Sequence, residues 1–389
     1  MILLYSFSSL FCLICLFFRK IKINNPMPWM FYLFINLYTF ATYFSHIFNL
    51  DFIISVNNKR VIDIFLFTSS LSLLTFSILL LCSSIYKKEY KIQFIKNKLN
   101  HFLVFIIIFP IALYINSLTS WTYDRAGILP SLAAYLRNII SILTLLILLT
   151  DNYSRKIKYF AVFLCAILTF VSTQRTNFFI IIIGILLTEK NNKTALLMMC
   201  ATVFFVLAVG SVRNNISVLR ILYPIIGEGV LGSWGMINAI EHYLENGYNI
   251  YNLIRPINPA ISWLIPGLEL KEMSSGIADY YPMGGFFFLS DAYLFNPILG
   301  PIIYTIIFHL IYSWSFTGML KSKTKKIDFF LIQCLLFFYI KANIGTITAM
   351  LVFFFLVLYL YKAFISLLSI GTRDIRYYGN QKNQLKCSL

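Results

Sequence analysis

Apolar blocks of about twenty residues follow one another through most of this chain, parted only by short basic stretches, and that alternation leaves few folds open. Within a bilayer only helices and closed barrels satisfy their own backbone, and continuous apolar blocks, as opposed to alternating ones, read as helices. Composition agrees. Of 389 residues, 59% are hydrophobic and only 12% charged, where a soluble domain carries about 25% charged. The pattern predicts an all-α polytopic membrane protein with about eleven transmembrane helices, at 1–18, 28–50, 61–86, 99–118, 132–150, 157–173, 176–188, 194–210, 296–320, 327–343 and 345–366.

The net charge of +17 gains its meaning from its placement. Lys and Arg gather at 19–22, 87–98, 155–158, 190–193, 321–326 and after position 362, which is every second boundary between apolar blocks. That is the positive-inside pattern. It puts those loops in the cytosol and reads as topology and attraction to anionic lipid, with no nucleic-acid partner. The first apolar block is followed, not preceded, by its charges (Arg19, Lys20, Lys22), the reverse of a cleaved signal peptide, so it is expected to be a retained span with its start outside. The organisation expected is transmembrane helices over 1–210, a large outer loop with interfacial helices over 211–295, further spans over 296–366 and a basic cytosolic tail over 367–389.

The cysteines imply neither a disulfide framework nor a metal site. Cys12 and Cys15 form a C-x-x-C, but inside the first apolar helix and without other ligands nearby. There is no internal repeat and no nucleotide-binding glycine pattern.

The chemistry concentrates where the apolar pattern is interrupted. From about 211 to 291 the chain turns polar, acidic and rich in Gly and Pro, with apolar helical stretches at 218–226 and 236–244 and Pro-bearing turns around Trp263. Such stretches are expected to lie on the membrane as interfacial helices. Arg175 stands in STQRTNFF between two blocks, the second of only 13 residues, about 20 Å as a helix. It either snorkels to lipid phosphate at a helix end or grips a diphosphate, for which bidentate geometry and permanent charge favour Arg. Arg213 in GSVRNN and Arg255 before Pro256 are candidates for sugar-phosphate binding, or else interface anchors. Candidate bases are Glu228, Glu241, His242, Asp279 and Asp291; a sugar hydroxyl attacking an anomeric carbon benefits from a positioned carboxylate or imidazole. Asp291, in GGFFFLSDAYLFNP, meets the membrane again, where a carboxylate is costly unless paired. His242 is the one histidine of the long loop, where a solvated role is the alternative.

At three places the chain resembles the Wzy-type O-antigen polymerases, the oligosaccharide repeat-unit polymerases of Gram-negative bacteria: STQRTNFFIIIIGILL, GSVRNN with the Arg- and Gly-bearing loop behind it, and MGGFFFLSDAYLFNPILGPIIY. The likeness covers roughly 100–320. It implies a GT-C-like helical fold and a glycosyltransferase of the bacterial inner membrane, active at the periplasmic face. Donor and acceptor would both be oligosaccharides on undecaprenyl diphosphate, joined to extend the O-polysaccharide of lipopolysaccharide. No metal, nucleotide or other cofactor is expected. Arg175, Arg213 and Arg255 would bind diphosphate and glycan, and Asp291, His242 or Glu228 would take the hydroxyl proton. Membrane lipid, a chain-length regulator and a flippase are the other partners the resemblance admits. Competing readings are the O-antigen ligase, which shares the donor, and the lipid-linked oligosaccharide flippase, for which short even loops and two similar halves would be expected. A membrane O-acyltransferase, with His101 as its candidate residue, is a further reading.

Overall fold

Ten helices form among the described residues of the computed structural model, which are 1–21, 25–48, 58–85, 101–119, 128–150, 153–172, 176–188, 222–247 and 287–321, with isolated residues at 193–194, 197, 201, 332–333, 336 and 340. They are α1 (Ile2–Phe18), α2 (Pro26–Ile47), α3 (Lys59–Cys82), α4 (His101–Thr119), α5 (Ile128–Leu149), α6 (Arg155–Ser172), α7 (Thr176–Thr188), α8 (Leu222–Asn246), α9 (Phe288–Phe295) and α10 (Leu299–Lys321). Local chemistry sets several of the ends. Pro26 opens α2, where its missing N–H is no loss. Asn58 caps α3, its side-chain oxygen accepting from the backbone N–H of Arg60 at 3.0 Å.

The helices bury two apolar clusters. In the first, α1, α2, α3, α8, α9 and α10 enclose a group of phenylalanines: the ring of Phe31 lies 4.5 Å from Phe76, 4.5 Å from Phe308 and 5.4 Å from Phe288. The second is formed by α4, α5, α6 and α7, with Phe105, Ile140, Cys165 and Leu186 at its centre. Leu145 and Leu149 of α5 and Ile183 of α7 belong to the first cluster and join the two.

Polar pairs tie helices that lie far apart in sequence. Ser72 and Thr305 share a hydrogen bond of 2.7 Å between α3 and α10, and Thr39 and Ser69 one of 2.8 Å between α2 and α3. Asn25 donates to the Tyr312 hydroxyl at 2.6 Å, and the hydroxyls of Thr42 and Ser233 join α2 to α8. Small hydroxyl residues let helices approach, and each such bond contributes about 0.6 kcal/mol in a membrane bundle. Outward, α1 exposes Leu3, Phe7, Leu10, Ile14 and Phe17, and α4 exposes Leu103, Ile107, Ile111 and Leu118. These helices are apolar on the face turned away from the protein as well as on the face turned inward, which suits lipid contact.

Three helices among the described residues are long and apolar enough to cross a membrane: Lys59–Cys82, His101–Thr119 and the Leu299–Thr317 part of α10. This corrects the expected all-α polytopic bundle of about eleven transmembrane helices with a GT-C-like arrangement. The reasons are visible in each helix. α1 has 17 residues and α7 only 13, too short for a core of about 30 Å. α2 has the length but interleaves Tyr32, Asn36, Thr39, Thr42 and Ser45 with its apolar residues. α6 begins with Arg155, Lys156 and Lys158. α5 carries a buried arginine, Arg137, inside its apolar run. The expected spans at 194–210, 327–343 and 345–366 lie outside the described residues, apart from single positions.

Candidate functional site

Among the described residues, the corner between α9 and α10 carries the one expected site residue that the fold buries deeply. Phe287 is extended, α9 runs for eight residues, and after an extended Asn296 the chain turns at 297–298. The side-chain oxygen of Asn296 then accepts from the backbone N–H groups of Ile298 (3.0 Å) and Leu299 (2.8 Å), capping α10. The two helices cross so closely that a Cβ on Gly300 would fall on the carbonyl oxygen of Ala292. This contact is why a glycine stands there.

Asp291 sits in the first turn of α9, 3% exposed. The positive end of a helix favours a carboxylate at that position. Its charge also acts on the Tyr304 phenol of α10. Beside it the Ser290 hydroxyl is fully buried and makes no hydrogen bond among the described residues, an uncommon state for a buried polar atom.

Against α9 packs the C-terminal part of α8. Tyr243 meets Tyr293 edge to face, ring centres 5.6 Å apart. Burial first, and then Tyr243, push the Tyr293 phenol up to about 12, with Arg60 of α3 pulling the other way. His242 is half-buried next to Tyr243. Glu241 is exposed as a residue, yet partial desolvation of its carboxyl, followed by the charge of Glu245 one turn on, raises its pKa above the usual carboxylate range.

The fold therefore brings the helix end bearing His242 against the helix bearing Asp291. Glu228 stands on α8 as well, but fourteen residues before His242, about 21 Å along the axis. One sugar hydroxyl cannot be served by both. Arg175, Arg213 and Arg255, like Asp279, lie outside the described residues. Among the described residues no three His, Cys, Asp or Glu gather as a metal would need.

Two arginines that sequence reasoning passed over stand out. Arg60 is exposed in the first turn of α3, close enough to act on Tyr293. Arg137 is buried in α5, where its Nη1 donates to Asn116 Oδ1 of α4. Asn116 in turn donates through Nδ2 to the carbonyls of Ala112 and Ala133. The rule that an ionisable residue inside an apolar block signals function would have marked Arg137 from sequence. The chemistry on hand is a buried carboxylate on α9, a pair of phenols where α8 meets α9, an imidazole at the next position of α8, and an exposed cation acting on one of the phenols. Set beside protein-family models, curated proteins and solved structures, the chain matches none.

Proposed function

We propose that this chain is a lipid-carrier glycosyltransferase, an O-antigen polymerase that joins oligosaccharide repeat units carried on undecaprenyl diphosphate. The observation that carries the reading is Asp291, buried in α9 against the end of α8 that bears His242. A hydroxyl nucleophile needs a base within reach, and a carboxylate held at a buried helix corner is suited to that task. Helices of membrane-crossing length support work on a lipid-borne substrate.

In this reading the acceptor's sugar oxygen attacks the anomeric carbon of the donor. A new carbon–oxygen bond forms, the bond to the diphosphate breaks, and undecaprenyl diphosphate departs with the electron pair. The hydroxyl proton goes to Asp291 or His242. Arg175, Arg213 and Arg255 hold the diphosphate and glycan, where fixed cations stabilise the leaving charge. The active face is periplasmic on the inner membrane.

The test is genetic. Deleting the gene in its native strain and running lipopolysaccharide on a silver-stained gel should leave core capped by a single repeat, without a ladder. Complementation with Asp291→Asn should restore the protein in the membrane but not the ladder. Bare core would point to ligase or flippase, and an unchanged ladder would remove glycan assembly altogether.

A further inference from the structure

Lys59 and Arg60 occupy the first turn of α3, with no acidic residue in that turn. Cations there oppose the helix dipole, whose positive end is the N-terminus, so the position is electrostatically unfavourable unless an anion joins it. Asp63, one turn on, lies 3.9 Å from the Met1 amino group, with both groups about half exposed. Below the charges, Ile64 and Phe67 continue the same face of α3, four and seven residues on from Arg60. Together with Met1, Lys59, Arg60 and Asp63 they line a mainly apolar, open groove of about 570 Å³. It starts at the polar end of a helix long and apolar enough to cross a bilayer and runs down that helix.

The geometry points to a binding site for an anionic, phosphate-headed lipid, its head on Lys59 and Arg60 and its chain over Ile64 and Phe67. A free phosphate would leave the apolar floor uncovered. A zwitterionic lipid would bring a second cation to a place already too positive. Because Arg60 also acts on Tyr293, the bound head would lie beside the α8–α9 corner. The site does not depend on the polymerase reading, and its test reads binding alone.

The full chain, purified in detergent, is titrated with phosphatidylglycerol or with phosphatidylcholine and observed by native mass spectrometry. Wild type should retain one phosphatidylglycerol in preference to phosphatidylcholine. The Lys59→Ala/Arg60→Ala variant should bind it roughly thirtyfold more weakly, from the attraction to anionic lipid lost at two cations. Two exposed cations elsewhere, Arg155 and Lys156 at the start of α6, serve as the control, and their double alanine variant should keep the preference. Phe67→Trp, which fills the floor and leaves both cations in place, should also weaken retention. Equal retention of the two lipids by wild type would overturn the proposal. So would an unchanged preference in the Lys59→Ala/Arg60→Ala variant, or displacement of the lipid by millimolar inorganic phosphate.

Discussion

Gly300 and Asn116 are the residues whose replacement is most directly read from geometry. At Gly300 the smallest possible side chain would overlap a backbone oxygen of α9, an atom that moves only with its helix. Gly300→Ala is expected to cost about 1–3 kcal/mol or more, measured as a lower unfolding midpoint in detergent. An unchanged midpoint would mean that α9 slides freely over α10. At Asn116 the amide oxygen accepts from the buried Arg137 guanidinium. Asn116→Ala removes that acceptor and should cost about 1–3 kcal/mol, while Asn116→Asp keeps an acceptor for Arg137 but loses the amide's donation to the carbonyls of Ala112 and Ala133 and should recover only part of the loss. If both variants melted like wild type, the contact would contribute nothing to stability. The two sites differ in how far sequence could reveal them. Asp291 was recognisable because a carboxylate beside an apolar block is costly, whereas Gly300's need arises from a crossing partner that no local pattern announces.

At the scale of single helices, α8 carries an electrostatic conflict. Glu241 and Glu245 stand four residues apart at its C-terminal end, where like charges repel and the helix dipole disfavours anions. The raised pKa of Glu241 fixes the sign of the pH effect. The folded state holds the Glu241 proton more tightly than the unfolded chain does. Its contribution is therefore present below the ordinary carboxylate pKa and lost as pH rises through the raised value. Glu241→Gln should remove that acid-side gain, flattening the dependence of the unfolding midpoint on pH just above the ordinary carboxylate pKa. Glu245→Lys should stabilise the helix end by about 0.3–1 kcal/mol and bring the Glu241 pKa down, measurable by titrating its carboxyl signal. A Glu241 pKa unmoved by the change at 245 would leave desolvation as its only cause. Helix positions themselves were well legible: apolar runs expected at 1–18, 61–86, 99–118 and 176–188 correspond to Ile2–Phe18, Lys59–Cys82, His101–Thr119 and Thr176–Thr188. What hydropathy could not tell is which of them crosses a membrane. Burial in protein and burial in lipid demand the same residues, and the tyrosines and hydroxyls of α2 face partner helices.

Across the whole molecule, the starts of α1 and α3 lie at one end, joined by the contact between the Met1 amino group and Asp63. α2 runs back alongside α1, since Tyr5 near the start of α1 donates to Asn36 well along α2, while α1 and α3 pack directly against each other. With 24 residues, α3 is about 36 Å long, so its two ends should face opposite sides of the bilayer. Cys82 at the far end is exposed and free. In intact cells a membrane-impermeant thiol reagent should label Lys59→Cys and spare Cys82, each as the single cysteine of its variant. Labelling of both from one side would exclude α3 as a span. The candidate site was legible only in part at this scale. The pairing of α8 with α9 rests on contacts between Tyr243 and Tyr293 that sequence spacing does not encode, and Arg60 reaches that corner from a helix more than two hundred residues earlier.

The same long separations have a consequence for how the chain is made. Ser72 waits for Thr305, 233 positions later, and Asn25 waits for Tyr312, 287 positions later. At a translation rate of about 5–20 residues per second, α2 and α3 wait roughly 10 to 50 seconds before α10 emerges. Through that interval their hydroxyls must bond within their own helices or to whatever escorts the nascent chain. A ribosome that stalls before α10 thus leaves behind a recognisably unfinished product, its polar seam open to the proteases and insertases that survey new membrane proteins.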